Sequence, residues 1–271
     1  MSFRRLLATL LATLSLSGCA HTSRDAWKKV VKRCADSDLL GEMTFLGPSN
    51  VLGPGTVWSA ASDGGYLLRY RMDSFLNGVP DAGFIQKGAS MSCAGTDKTE
   101  WSLDAGLPIT GKTVNLDADL AAKLKQAKNV VVKTSSVNLD LLVTGPYEGL
   151  LRTLKDPVRQ EMFSGKRLVI TRAIRVAGFV ADFTFESDAA GSVKAALPAN
   201  GIIAVGPGGA NLSVAWKNSN TLAISSPDEF YIAADFNTIS ADGVALGGGP
   251  ASVAFVPAKP SQDAKYTVPT P

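Results

Sequence analysis

The chain has 271 residues, 27 Lys and Arg against 24 Asp and Glu for a net charge of +3, and 45% hydrophobic residues. That charge is too small to mark a nucleic-acid-binding surface, and that apolar content excludes a disordered chain. A single histidine, His21, stands near the start, so imidazole triads, papain-like Cys-His pairs and zinc sites built on several histidines have nothing to draw on.

Arg4 and Arg5 precede the uncharged run Leu6 to Leu16, the layout of a secretory signal. Such a run rises only about 16 Å as a helix, about half a hydrocarbon core, so it targets the chain rather than spanning a bilayer. Leu16-Ser17-Gly18-Cys19 follows and resembles the lipobox of bacterial lipoprotein precursors. The resemblance implies cleavage before Cys19, acylation of its thiol and new amino group, and a membrane anchor through those acyl chains (palmitate among them). Ala20 follows the cysteine where an aspartate would imply inner-membrane retention, so the expected location is the outer membrane of the cell envelope, facing the periplasm or the surface. The alternative is an ordinary signal peptide that ends near a cysteine.

With residues 1–18 removed, 253 residues remain, with 25 basic (27 − 2) against 24 acidic. Acylated Cys19 leaves Cys34 and Cys93 as a pair in an oxidising compartment, where a disulfide is the default. Closing that loop would constrain the unfolded chain by a few kcal/mol. Two buried free thiols are the alternative.

Trp27, Val30, Val31 and Cys34 recur at helical spacing after the N-cap candidate Ser23, with Arg24, Lys28, Lys29, Lys32 and Arg33 on the other flanks. This predicts an N-terminal amphipathic helix whose basic flank rests on anionic headgroups or faces solvent. From Met43 to Phe84, Gly-Pro turns alternate with β-type runs such as Thr56–Trp58 and Tyr66–Tyr70. Helices are expected over 117–128 and, kinked or broken at Pro157, over 146–165. Val130–Lys133 and Val137–Val143 read as strands. Arg167–Val176 and Phe179–Glu186 read as one bulged strand or two, Leu212–Trp216 and Thr221–Ser225 as a hairpin, and Phe230–Phe236 as a further strand. The proline-rich stretch 257–271 reads as extended or disordered.

The expected fold class is therefore α+β, mostly antiparallel sheet with two or three helices and a disordered Pro-rich tail. The expected organisation is a signal peptide over 1–18, an anchored body of one domain or two subdomains over 19–256, and the tail over 257–271.

Gly106 to Thr113 fits the phosphate-loop pattern G-x-x-x-x-G-K-[ST], but neither a buried strand before it nor a helix at Lys112 is signalled, so it reads as turn and loop with no nucleotide partner. The clusters Gly206-Pro207-Gly208-Gly209 and Gly247-Gly248-Gly249-Pro250 read as turns. Asp36/Asp38, Asp117/Asp119 and Asp228/Glu229 are the carboxylate pairs available for acid–base chemistry on glycans, though each also suits a cap or turn. Trp58, Trp101 and Trp216 are candidates for packing or for ligand stacking.

From Val130 to Phe236 the order of elements resembles the membrane-active amino-terminal domain of gasdermins: a β-segment, a helix of the type Leu150-Leu151-Arg152-Thr153-Leu154, a strand like Leu168-Val169-Ile170-Thr171-Arg172, and a late strand pair. What this implies is insertion of amphipathic strand pairs. The lipobox departs from that cytosolic family, and no functional residue transfers. The sequence reads best as a lipid-anchored envelope protein acting by binding or as structure, through an envelope protein partner or self-association, with no catalytic, cofactor or metal residue assigned. Pore formation and a carboxylate-dependent glycan hydrolase are the alternatives.

Overall fold

Two long strands, β9 (Ser164–Ala177) and β14 (Phe230–Asp242), organise the fold by pairing antiparallel along most of their length. A computed structural model describes residues 24, 27–28, 30–32, 39–72, 83–88, 90–91, 101–103, 118–197, 201–203, 211–242, 252–260, 264 and 266–269. Leu168, Val169 and Ile170 of β9 are all buried. Leu168 and Ile170 enter one core cluster and Val169 another. An unbroken apolar run is what a strand covered on both faces requires.

Each long strand is too long for any one neighbour, so its second edge is shared. Along β9 that edge is taken by β2 (Val57–Ala60) at residues 167–169 and by β8 (Ser136–Leu142) at residues 172–177. Along β14 it is taken by β1 (Thr44–Ser49) at residues 231–234 and by β15 (Ser252–Ala258) at residues 236–242. β3 (Tyr66–Tyr70) continues outward from β2, and β4 (Ile85–Gln86) and β5 (Ser90–Met91) from β8. The result is a branched ten-stranded sheet.

β9 leaves this sheet at Gly178, where the chain turns into β10 (Val180–Thr184) of a second, six-stranded antiparallel sheet. Gly178 has φ +60°, and a Cβ there would lie 2.3 Å from Ser135 Oγ, so only glycine fits. The second sheet runs β11 (Ile202–Ile203), β12 (Leu212–Trp216), β13 (Thr221–Ser225), β10, β7 (Asn129–Lys133), β6 (Trp101–Leu103). Between the sheets lies the largest core, with Val137, Ile174 and Val176 on one side and Val132, Ala181, Phe183 and Ile224 on the other. Trp27, Val30 and Val31 are helical and buried in it. The Trp27 ring meets Phe179 at 5.7 Å and Phe230 edge-on at 6.0 Å.

The helices are short and peripheral: α1 (Leu39–Glu42), α2 (Ala118–Leu124), α3 (Thr144–Thr153), α4 (Val158–Met162) and α5 (Ser187–Ala196). Tyr147 and Leu151 of α3 and Met162 of α4 cover one face of the larger sheet. Among the described residues, no helix is long and apolar enough to cross a membrane.

This corrects the expected α+β class. The protein is sheet-rich, with a nearly closed, barrel-like sheet. Local periodicity registers each helix at full weight, whereas strand pairing depends on partners far away in sequence, so the sheet was under-read. The tail is also corrected. Pro257 and Ala258 extend β15, and β16 (Tyr266–Thr267) pairs in parallel with β3. Tyr266 is 3% exposed and packs against Trp58, Tyr66 and Phe236. One tyrosine bound into a core outweighs the proline content around it.

Candidate functional site

The branch points of the two long strands coincide. On β14, β1 ends at Ala234 and β15 begins at Phe236, so Asp235 falls in the gap between them. On β9, Arg172 pairs with Asp235 and Ile170 with Phe236, which leaves Thr171 as an extra, bulged residue. Bulges re-aim side chains and interrupt pairing, and they recur beside functional sites. Here the interruption opens a cleft of about 560 Å³, within the range of small-molecule sites.

The cleft is floored by Thr171, Arg172, Asp235 and Asn237 and rimmed by Glu42 at the end of α1 and Lys259 just past β15. Arg172 donates from Nε to Asp235 Oδ2 at 2.5 Å, and its Nη2 reaches the same oxygen. The Arg172 side chain nonetheless stays 40% exposed. Thr171 donates its hydroxyl to Asn237 Oδ1 at 2.5 Å. Among the described residues, Glu42 and Lys259 take part in no ion pair. Phe236 closes the floor but is 2% exposed, so it offers no ring face for stacking.

Three residues further along β9 lies a contrasting cluster. Asp140 of β8 is wholly buried and accepts from Arg175 Nε at 2.8 Å, Arg175 Nη2 at 3.3 Å, the Tyr231 hydroxyl at 3.0 Å and the Gly88 amide at 3.1 Å. Arg175 Nη1 also donates to Glu229 at 2.6 Å. Burial lowers the Arg175 pKa, but the Asp140 hydrogen bond and the charges of Asp140 and Glu229 overcome it, and the net shift is upward. Burial, then the Asp140 charge, raises Tyr231. With four donors on one carboxylate, this cluster joins β8, β9 and β14 and has no capacity left for a ligand.

The sequence candidates fare unevenly. Cys19, Cys34, Cys93 and His21 lie outside the described residues, as do Asp36, Asp38, Asp117, the Gly106 to Thr113 segment and both glycine clusters. Asp119 pairs with Lys123 four residues on, at 2.7 Å, and Glu229 belongs to the Arg175 cluster. Trp58 is wholly buried and Trp216 packs on Phe185; neither enters the cleft. Of the described carboxylates read from sequence, Asp119, Asp228 and Glu229, none lines the cleft. Among the described residues there is no group of three or more metal-ligating side chains.

No family model and no curated protein matches this chain. Among solved structures, a bacterial gasdermin from Bradyrhizobium tropiciagri is similar over 92% of this chain and 100% of that one, at 10% identity and a TM-score of 0.39. A likeness at that TM-score carries no inference.

Glu42, Arg172, Asp235 and Lys259 escaped the sequence reading. Arg172 and Asp235 stand 63 residues apart, in strands with no motif, and only the β9–β14 register joins them.

Proposed function

We propose that the chain is a lipid-anchored cell-envelope protein that acts by binding, presenting the branch-point cleft to a polar ligand. The observation that carries this reading is the cleft itself: two strand breaks and a bulge coincide to expose charged side chains in an otherwise continuous sheet. The lipobox at Cys19 supports the anchor. Binding rather than glycan hydrolysis is supported by Asp235, one of the cleft's two carboxylates, whose Oδ2 holds a guanidinium and is thus ill placed to deliver a proton.

A direct test uses the full chain expressed in an envelope-bearing host. Cys19→Ser should lose the acyl label and move the protein to the soluble fraction. A photo-crosslinking residue at Glu42 should capture a ligand or partner that the same residue at Lys194, on exposed α5, does not. Acylation without rim-specific capture would sink the binding reading, and capture without acylation would sink the anchor.

One observation favours a second reading, pore formation. β15 carries no charge across seven residues, pairs with β14 over its whole length and leaves Val256 45% exposed. A hairpin of that kind suits a bilayer better than most surface strands. Dye release from liposomes tests it, and intact liposomes at high protein-to-lipid ratio would remove it.

A further inference from the structure

The uncommitted groups of the cleft form a set of opposite charges. Asn237 spends its acceptor oxygen on Thr171, which leaves its amide nitrogen to donate. Arg172 spends Nε and Nη2 on Asp235, which leaves Nη1. With Lys259 these make three donors suited to an anion, two of them cationic. Glu42, exposed on the rim, is an acceptor suited to a cation. A neutral sugar ring would want an aromatic face, and Phe236 is covered.

We propose that this cleft takes a short peptide with free ends, its carboxylate against Lys259, Arg172 and Asn237 and its ammonium against Glu42. The inference rests on the binding reading above and names the ligand class for that same site. In an envelope such peptides exist free; the stems of the cell wall have their amino ends in amide linkage and offer no terminal ammonium.

The test is titration of the detergent-solubilised full chain with L-alanyl-L-alanine, its N-acetyl form and its C-terminal amide, followed by calorimetry or saturation-transfer NMR. Each cap should weaken binding about fivefold, the worth of one exposed charge pair. Glu42→Gln should match the N-acetyl loss and make acetylation harmless; Lys259→Met should shrink the amide's penalty without abolishing it, because Arg172 Nη1 still faces the carboxylate. Both substitutions are on exposed side chains with no ion pair among the described residues, so unfolding does not confound them. Equal affinity for capped and uncapped peptides, or no binding of any, overturns the proposal. If a neutral chitooligosaccharide binds instead and rim capture persists, the ligand class fails while the binding reading stands. Co-sedimentation with purified cell-wall sacculi, lost in both variants, would overturn the free-ended class, since the stems have no free amino end; dipeptide binding without co-sedimentation supports it.

Discussion

Arg172 and Arg175 lie on one strand and each holds an aspartate, yet they do different things. Arg175 is 10% exposed and its partner Asp140 wholly buried; Arg172 is 40% exposed and its partner Asp235 21%. The difference comes from what lies alongside. Beside Asp140, β8 continues and Tyr231 and the Gly88 amide complete the acceptor. Beside Asp235 the strand ladder is interrupted. The same ion pair fastens strands where the sheet is whole and borders a cleft where it is broken.

The largest effect that would break this comparison is at Asp140. Asp140→Asn leaves a buried guanidinium short of charge and should cost about 3–5 kcal/mol in denaturant unfolding; a loss below 1 would show the cluster to be no more structural than the cleft. Next comes the packing that closes the outer edge. Tyr266→Ala removes a ring from the second core and should cost about 3 kcal/mol by the same measurement, and no change would return residues 257–271 to a loose tail.

Alkaline pH sharpens the contrast. Burial raises the pKa of Tyr147, Tyr231 and Tyr266 above the ordinary 10.0, helped at Tyr231 by Asp140 and at Tyr266 by Tyr66. A value higher in the folded than in the unfolded chain gives stability that is whole below pH about 10 and is lost as pH climbs through the raised values. Circular dichroism should show unfolding begin above that point, and Tyr231→Phe should delay it. Smallest is the cleft pair: Asp235→Asn should change stability by less than about 1 kcal/mol, as partly exposed pairs do, read from the same unfolding curves.

Legibility in the sequence followed the range of the interaction. The β12–β13 hairpin was readable because Lys217-Asn218-Ser219-Asn220 sits between two short β-runs. Its register, with Trp216 against Leu222, follows from the turn. Pro157 broke the expected 146–165 helix into α3 and α4, a local steric effect. α5 was not read: Ser187-Asp188-Ala189-Ala190-Gly191 is small and weakly patterned, and it is helical because Ala190 and Val193 are buried against the main core. The cleft was illegible for a stronger reason, since its bulge and strand breaks exist only in the pairing of residues far apart in sequence.

The nesting of the two sheets bears on how the molecule is made. The six-stranded sheet draws on residues 101–225 alone, whereas the ten-stranded one begins at Thr44 and is finished by Tyr266, which pairs with Tyr66 across 266 − 66 = 200 residues. Contacts at such separation form slowly. The inner sheet can assemble as soon as its own stretch of chain is free, while the outer one lacks its last strand until residue 267 emerges and its cleft is incomplete until Lys259 does. A chain that emerges amino-terminus first would thus hold a finished smaller sheet beside a larger one still open at its last strand.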